Sequence, residues 1–245
     1  MAAGQAKRRA SRAPAEDALE PSPTGAFGRH LRAATAASAL FFGFWSSRPD
    51  WDPEMRLWRA FGDASLVLLA ASLALGPLAR LWPRLARLLP IRRELGIDFA
   101  VLASIHTLLV LNGWVRWDLL RFLGYEYIDA AGRWVRLESG FGLANIAGVV
   151  ALVWALILAG TSSDRATRFL GPSAWKWLHS GAYTIFYLVT LHTAYFLFLH
   201  YTYSFHRPVP PPDWFRWPFL ILAGAVVGLQ AAAFAVTVRR RRDRG

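Results

Sequence analysis

The sequence has 245 residues, 55% of them hydrophobic and 18% charged, with a formal net charge of +12 and no cysteine. Disulfides, thiolate-bound zinc, iron–sulfur clusters and c-type haem attachment are therefore excluded, and any metal or redox centre must hang on the 6 histidines or on carboxylates. The positive charge sits at the ends of apolar blocks rather than along an exposed face, which points to membrane lipid as a partner and argues against nucleic acid.

Those blocks run for roughly 17–25 residues, the length that crosses about 30 Å of hydrocarbon as helix. No alternating apolar/polar strands of a membrane barrel occur. The fold class expected is all-α, an integral membrane six-helix bundle spanning residues 29–238. Residues 1–28, rich in Ala, Pro, Ser, Lys and Arg, are expected to form a disordered cytoplasmic arm. Lys7-Arg8-Arg9 has no apolar stretch within the reach of a cleaved signal.

The first span is predicted over Leu31–Trp45, short and rich in alanine. The second runs from Phe61 to Leu81, the third from Leu95 to Trp114, and the fourth from Gly140 to Gly160. The fifth covers Ala174–Tyr201 and the sixth Trp217–Val238, followed by a basic tail, 239–245. Arg84, Arg87, Arg92 and Arg93 between spans two and three, Arg165 and Arg168 between four and five, and Arg239–Arg242 mark the cytoplasmic side. Both termini are thus expected inside, N-in and C-in. Trp51, Trp117, Trp134, Trp214 and Trp217 are expected as interfacial anchors on the other side. The long charged and aromatic stretch Val115–Ser139 reads as an outer loop able to meet a partner.

Ionisable side chains at membrane depth are expensive and mark function by default. His106 lies near the middle of span three. His179 lies about 8 Å into span five, and His192 about 20 Å further along the axis. On an ideal helix His179 and His192 are about 220° apart, so they are expected to face different neighbours unless a bend intervenes. His106 with His192 is the preferred pair. Residue type and depth alone leave three readings open: haem ligation, another metal, and proton relay in a haem-free transporter subunit. His30, His200 and His206 read as interfacial or surface residues, with His200 or His206 able to sit near an outer haem edge. Asp98 is expected to pair with Arg92 or Arg93. The Pro208–Pro212 cluster reads as a stiff loop. No Gly-x-Gly-x-x-Gly or Walker-type loop is present. The seven residues after span six hold no flavin or nicotinamide domain, so electrons are expected from a separate donor.

Three stretches carry a resemblance. Phe61-Gly62-Asp63 through Leu73, with Gly76-Pro77-Leu78-Ala79-Arg80, resembles the second span of the ferric-reductase-like transmembrane family. Arg92-Arg93-Glu94-Leu95-Gly96, followed by His106, is similar to its third span. Thr161-Ser162-Ser163-Asp164, Arg168-Phe169-Leu170-Gly171, Trp175, Leu178-His179, Tyr183 and His192 are similar to its fourth loop and fifth span. Within that family the likeness is to the bacterial haem-binding membrane subunits of methionine-sulfoxide reductase systems.

The resemblance implies b-type haem, one or two, on His106, His179 and His192. Arg93 and Lys176 read first as topology charges, with binding of haem propionates as a second duty. The resemblance also implies FMN as a further cofactor. It implies electron transfer in the bacterial inner membrane, from a cytoplasmic flavin reductase or the quinone pool to a periplasmic redox enzyme, a molybdopterin methionine-sulfoxide reductase. Direct reduction of Fe(III) chelates at the outer face is the alternative within the same family. Span three holds one histidine where relatives hold a pair, so two complete bis-histidine sites are not expected.

Overall fold

A computed structural model describes residues 23–136, 138–200 and 213–243. The expected arm up to residue 22, His206 and the Pro208–Pro212 loop lie outside the described residues. The chain is an all-α membrane protein: five of its helical stretches, Pro53–Leu81, Pro83–Val115, Phe141–Gly160, Pro172–Leu199 and Arg216–Arg242, are long and apolar enough to cross a membrane. The helix over the first predicted span, α1 (Pro23–Ser46), is long enough but is not among them.

Helix α2 (Pro53–Leu81) begins eight residues before the predicted second span. Asp52 caps it, its side chain accepting from the backbone N–H groups of Glu54 and Met55, and Pro53 fills the first turn, where a missing N–H costs nothing. Ala60, Ala64, Leu68 and Leu69 are buried. α2 packs against α1, α3 and the last helix, which makes it the centre of the bundle. Its small residues let those neighbours approach closely, the usual basis of helix packing in lipid.

Helix α3 (Arg92–Val110) continues as a π-helical turn, Leu111–Val115. The chain then turns sharply through Arg116 and Trp117, both left-handed at φ 52° and 59°. Neither is glycine, so the turn carries local strain. A short helix α4 (Leu119–Phe122) follows, capped by Asp118.

The stretch expected as a plain loop holds a β-hairpin. β1 (Tyr125–Ile128) pairs antiparallel with β2 (Arg133–Arg136), Tyr125 opposite Arg136 and Ile128 opposite Arg133. Helix α5 (Phe141–Gly160) covers the predicted fourth span, and a short α6 (Asp164–Leu170) leads to the predicted fifth. That predicted fifth span is interrupted at one residue. It consists of α7 (Pro172–Ser180), a break at Gly181, α8 (Ala182–Ala194) and a π-helical turn, Tyr195–Leu199. α8 packs on α5 as α3 packs on α2, and α9 (Arg216–Arg242) closes the bundle against α2.

Buried charge ties one end together. Arg48, just after α1, donates to Asp63 of α2 at 2.6 Å and to Asp213, just before α9, at 2.9 Å. All three side chains are buried.

Candidate functional site

His106 of α3 and His192 of α8 face each other across the bundle, ring centres 6.4 Å apart and planes at 81°. Each ring is held the same way. His106 Nδ1 lies 2.8 Å from the carbonyl oxygen of Trp58, and His192 Nδ1 lies 2.8 Å from that of Ala144, a sequence separation of 48 in both cases. A carbonyl only accepts, so Nδ1 carries the proton in both imidazoles. Nε2 keeps its lone pair, the arrangement of a histidine prepared for a metal.

Glycine makes this approach possible. Four residues after Trp58 stands Gly62, where an added Cβ would lie 3.2 Å from the His106 ring. Four residues after Ala144 stands Gly148, where a Cβ would lie 2.8 Å from His192 Nδ1. A side chain at Gly148 would force the His192 ring to shift, and one at Gly62 would crowd the His106 ring. The α2–α3 and α5–α8 pairs thus hold their histidines by one repeated device.

Between the rings lies a cavity of about 440 Å³. Its walls are mostly apolar or aromatic, including Phe99, Val110, Trp114, Phe141, Leu152 and Phe196. Arg59, Asp63, Asn145 and His200 supply polar groups. Arg59 Nη2 donates to the carbonyl of Phe196 at 3.2 Å, and Asn145 Nδ2 donates to that of Phe122 at 2.8 Å.

The 6.4 Å between ring centres leaves room for one metal ion between two imidazoles, each metal–nitrogen bond being about 2 Å. Among the described residues no group of three or more His, Asp or Glu could hold a metal. An imidazole pair alone suits a metal whose other four positions belong to a macrocycle, and a cavity of this size and lining suits such a ligand. The residues present fit haem.

His179 is placed differently. It ends α7, half-buried, stacked on Trp175 with ring centres 4.0 Å apart. Its Nε2 donates to Thr161 Oγ1 at 3.3 Å, because that hydroxyl gives its own proton to backbone carbonyls. His179 thus engages the nitrogen that His106 and His192 leave available. The break at Gly181 separates it from His192, and the indole of Trp154 fills the space where a Gly181 side chain would stand.

Arg93 and Lys176 belong to the same end as His179 and do not line the cavity. Arg93 pairs with Asp164 at 3.3 Å in an exposed bridge, and Lys176 is exposed. Asp98 departs from expectation. It makes no ion pair with Arg92 or Arg93, and its buried Oδ2 has no hydrogen-bond partner. The first turn of α3 points Arg93 at the 164 turn, away from Asp98. His30 is exposed. His200 is not a plain surface residue: it lines the cavity and pairs with Glu138.

The sequence reading missed Arg59, Asn145, Gly148 and the Trp58 carbonyl. Gly62 was visible only as part of a resemblance.

The model of the ferric reductase like transmembrane component family matches residues 61–189, more than half of the chain, a stretch that includes His106 and His179 and ends just before His192. The chain belongs to the ferric-reductase-like transmembrane family. It is 33% identical over 179 residues to the protein-methionine-sulfoxide reductase heme-binding subunit MsrQ of Bordetella pertussis, covering 70% of this chain and 79% of that protein. It is 30% identical over 164 residues to MsrQ of Polaromonas naphthalenivorans, covering 62% of this chain and 64% of that protein. MsrQ of Bordetella bronchiseptica matches at 33% over the same 179-residue length. No solved structure gives a significant match. Family membership covers the span that holds the Gly62–His106 contact and reaches His179.

Proposed function

We propose that this chain is a b-type haem-binding subunit that carries electrons across the bacterial inner membrane. The observation that carries the reading is the His106–His192 pair: two imidazoles with proton-bearing Nδ1 atoms fixed on carbonyls, Nε2 atoms available, and ring centres 6.4 Å apart across an apolar cavity. The relatives' name, heme-binding subunit of a protein-methionine-sulfoxide reductase, supports the same cofactor.

Bound haem b supplies one-electron carriage between ferric and ferrous iron. The chain's part is ligation, orientation and exclusion of water. His106 and His192 would hold the haem iron through their Nε2 atoms, seated by Gly62 and Gly148. Arg59 is a cation on the cavity wall that would be available to a propionate. His179, whose Nε2 would have to leave Thr161, is the candidate ligand nearer the basic end, where Arg93 and Lys176 would offer charge to the propionates of a second haem. FMN, also implied by the resemblance, gains no support from the relatives' names and is left out.

The topology proposed is six spans, α1 included, with both termini inside, because Arg84, Arg87, Arg92, Arg165, Arg168 and Arg239–Arg242 gather at one end. Electrons enter at that end from a cytoplasmic flavin reductase or quinol. They leave at the hairpin end to a periplasmic redox enzyme, a molybdopterin methionine-sulfoxide reductase. The deciding experiment is a reduced-minus-oxidised spectrum of the purified chain, followed by reoxidation with a purified enzyme of that class and with Fe(III) citrate. A b-type spectrum reoxidised by the enzyme supports the reading; reoxidation by Fe(III) citrate alone favours a ferric reductase; a chain without haem after reconstitution ends it.

A further inference from the structure

His200 stands where two cavities meet. It lines the large cavity together with His106 and His192. It also lines a small one of about 60 Å³, bounded by Arg121, Glu126, Glu138 and the rings of Trp114 and Phe141, beneath the β-hairpin. A cavity of that size, with Arg121, Glu126 and Glu138 on its wall, has room for several waters at about 10–15 Å³ each. His200 Nδ1 lies 2.8 Å from Glu138 Oε2, with side chains 11% and 10% exposed. Tyr195 Oη donates to the same carboxylate oxygen at 3.0 Å.

The group is close to the candidate ligand but does not touch it. The His192 ring packs on Phe196 at 4.9 Å between centres, and Phe196 packs on His200 at 5.4 Å. An electron added to a buried centre is stabilised by a proton taken up nearby, because the apolar wall screens charge poorly. An imidazole is the side chain suited to exchange that proton between about pH 5 and 8. Asp63, the carboxylate on the large cavity's wall, is already held by Arg48 at 2.6 Å.

We propose that His200 and Glu138 form a proton-exchange site. It takes one proton from the outer solution when an electron reaches the centre held by His106 and His192, and returns it when the electron leaves. The inference rests on the haem reading above. The electron comes from the flavin or quinol donor. The proton comes from hydronium by way of water in the small cavity and adds to His200 Nε2, leaving water behind. Nδ1–H stays directed at the Glu138 carboxylate, so the imidazolium forms as one half of an ion pair. Among the described residues the charged and titratable groups on the walls of the two cavities are Arg121 of α4, Tyr125 and Glu126 of β1, Glu138 before α5, Arg59 and Asp63 of α2, and His106 and His192, with Tyr195 on its own span bonded to Glu138. Arg136 of β2 lies within electrostatic reach of Tyr195.

The test is a redox titration of the purified, haem-loaded full chain at several values between about pH 5 and 8, with proton uptake on reduction followed by an indicator dye. The expected result is a midpoint potential that falls as pH rises, with matching proton uptake. In His200→Gln the Soret band and haem content stay, while the slope flattens and the uptake is lost. Glu138→Gln is expected to weaken both in the same direction, and it carries the test with the same readouts if His200→Gln does not retain haem. A slope and an uptake equal to wild type in a haem-retaining variant overturn the proton-exchange site and leave the haem reading standing. A wild-type chain with no Soret band overturns the haem reading itself.

Discussion

His192 rests on Gly148 with no room for a methyl group between them: a Cβ there would stand 2.8 Å from the imidazole Nδ1 that reaches the Ala144 carbonyl. His106 rests on Gly62 in the same way, with 3.2 Å in place of 2.8 Å. The contacts belong to two helix pairs far apart in sequence, so the two imidazoles are oriented independently and meet by the packing of α3, α5 and α8.

Gly148→Ala and Gly62→Ala are therefore expected to lower haem retention by displacing the rings, at a cost of about 1–3 kcal/mol each for overpacking. Gly148→Ala should be the more damaging because its contact is tighter. Haem-to-protein ratio in purified variants checks this, and equal, full occupancy in both would count against the seating role.

His106→Ala and His192→Ala are each expected to remove the same spectral component, since either change leaves one axial ligand. His30→Ala, at an exposed position, should leave haem content unchanged. His179→Ala should leave the His106/His192 component intact. Low-temperature difference spectra separate these outcomes. Full haem content in both His106→Ala and His192→Ala would falsify the assignment.

How much of this was readable beforehand follows from the kind of signal each element leaves. The apolar blocks reported the spans because hydrocarbon demands an uninterrupted run of about 20 residues. The same criterion hid the first two turns of α2, where Glu54, Arg56 and Arg59 break the run. Trp58 and Arg59 were lost with them, although Asp52-Pro53-Glu54 is a legible helix start. The hairpin was missed because four-residue strands leave too short a pattern, even with Tyr, Ile, Trp and Val in them. The 220° offset between His179 and His192 assumed one continuous helix. The turn at Gly181 interrupts that regular helix between the two histidines. The carbonyl partners, 48 residues from each imidazole, have no local signature at all.

The Arg48–Asp63–Asp213 cluster makes a stability prediction of definite sign. Arg48→Met leaves two buried carboxylates facing each other without their cation, and removing one partner of a buried ionic network costs about 3–5 kcal/mol. Asp63→Asn and Asp213→Asn added to Arg48→Met should restore most of that loss, because no buried charge is then left unpaired. Thermal unfolding in detergent reads both steps. A triple variant no more stable than Arg48→Met would show that the cluster acts through something other than charge pairing.

Arg59 is the cation that lines the cavity, and its effect should appear in the redox potential rather than in ligation. Adding an electron makes the bound centre more negative, so a nearby positive charge favours the reduced form. Arg59→Gln keeps a donor for the Phe196 carbonyl but removes the charge. A unit charge within about 10 Å at an effective dielectric of about 20 contributes on the order of 1–2 kcal/mol. The midpoint potential of the His106/His192 component is therefore expected to fall by several tens of millivolts, with Arg59→Lys restoring most of the difference. A potential unchanged in Arg59→Gln, with haem fully retained, would mean that the guanidinium is already neutralised by Asp63 across the cavity wall and contributes packing alone.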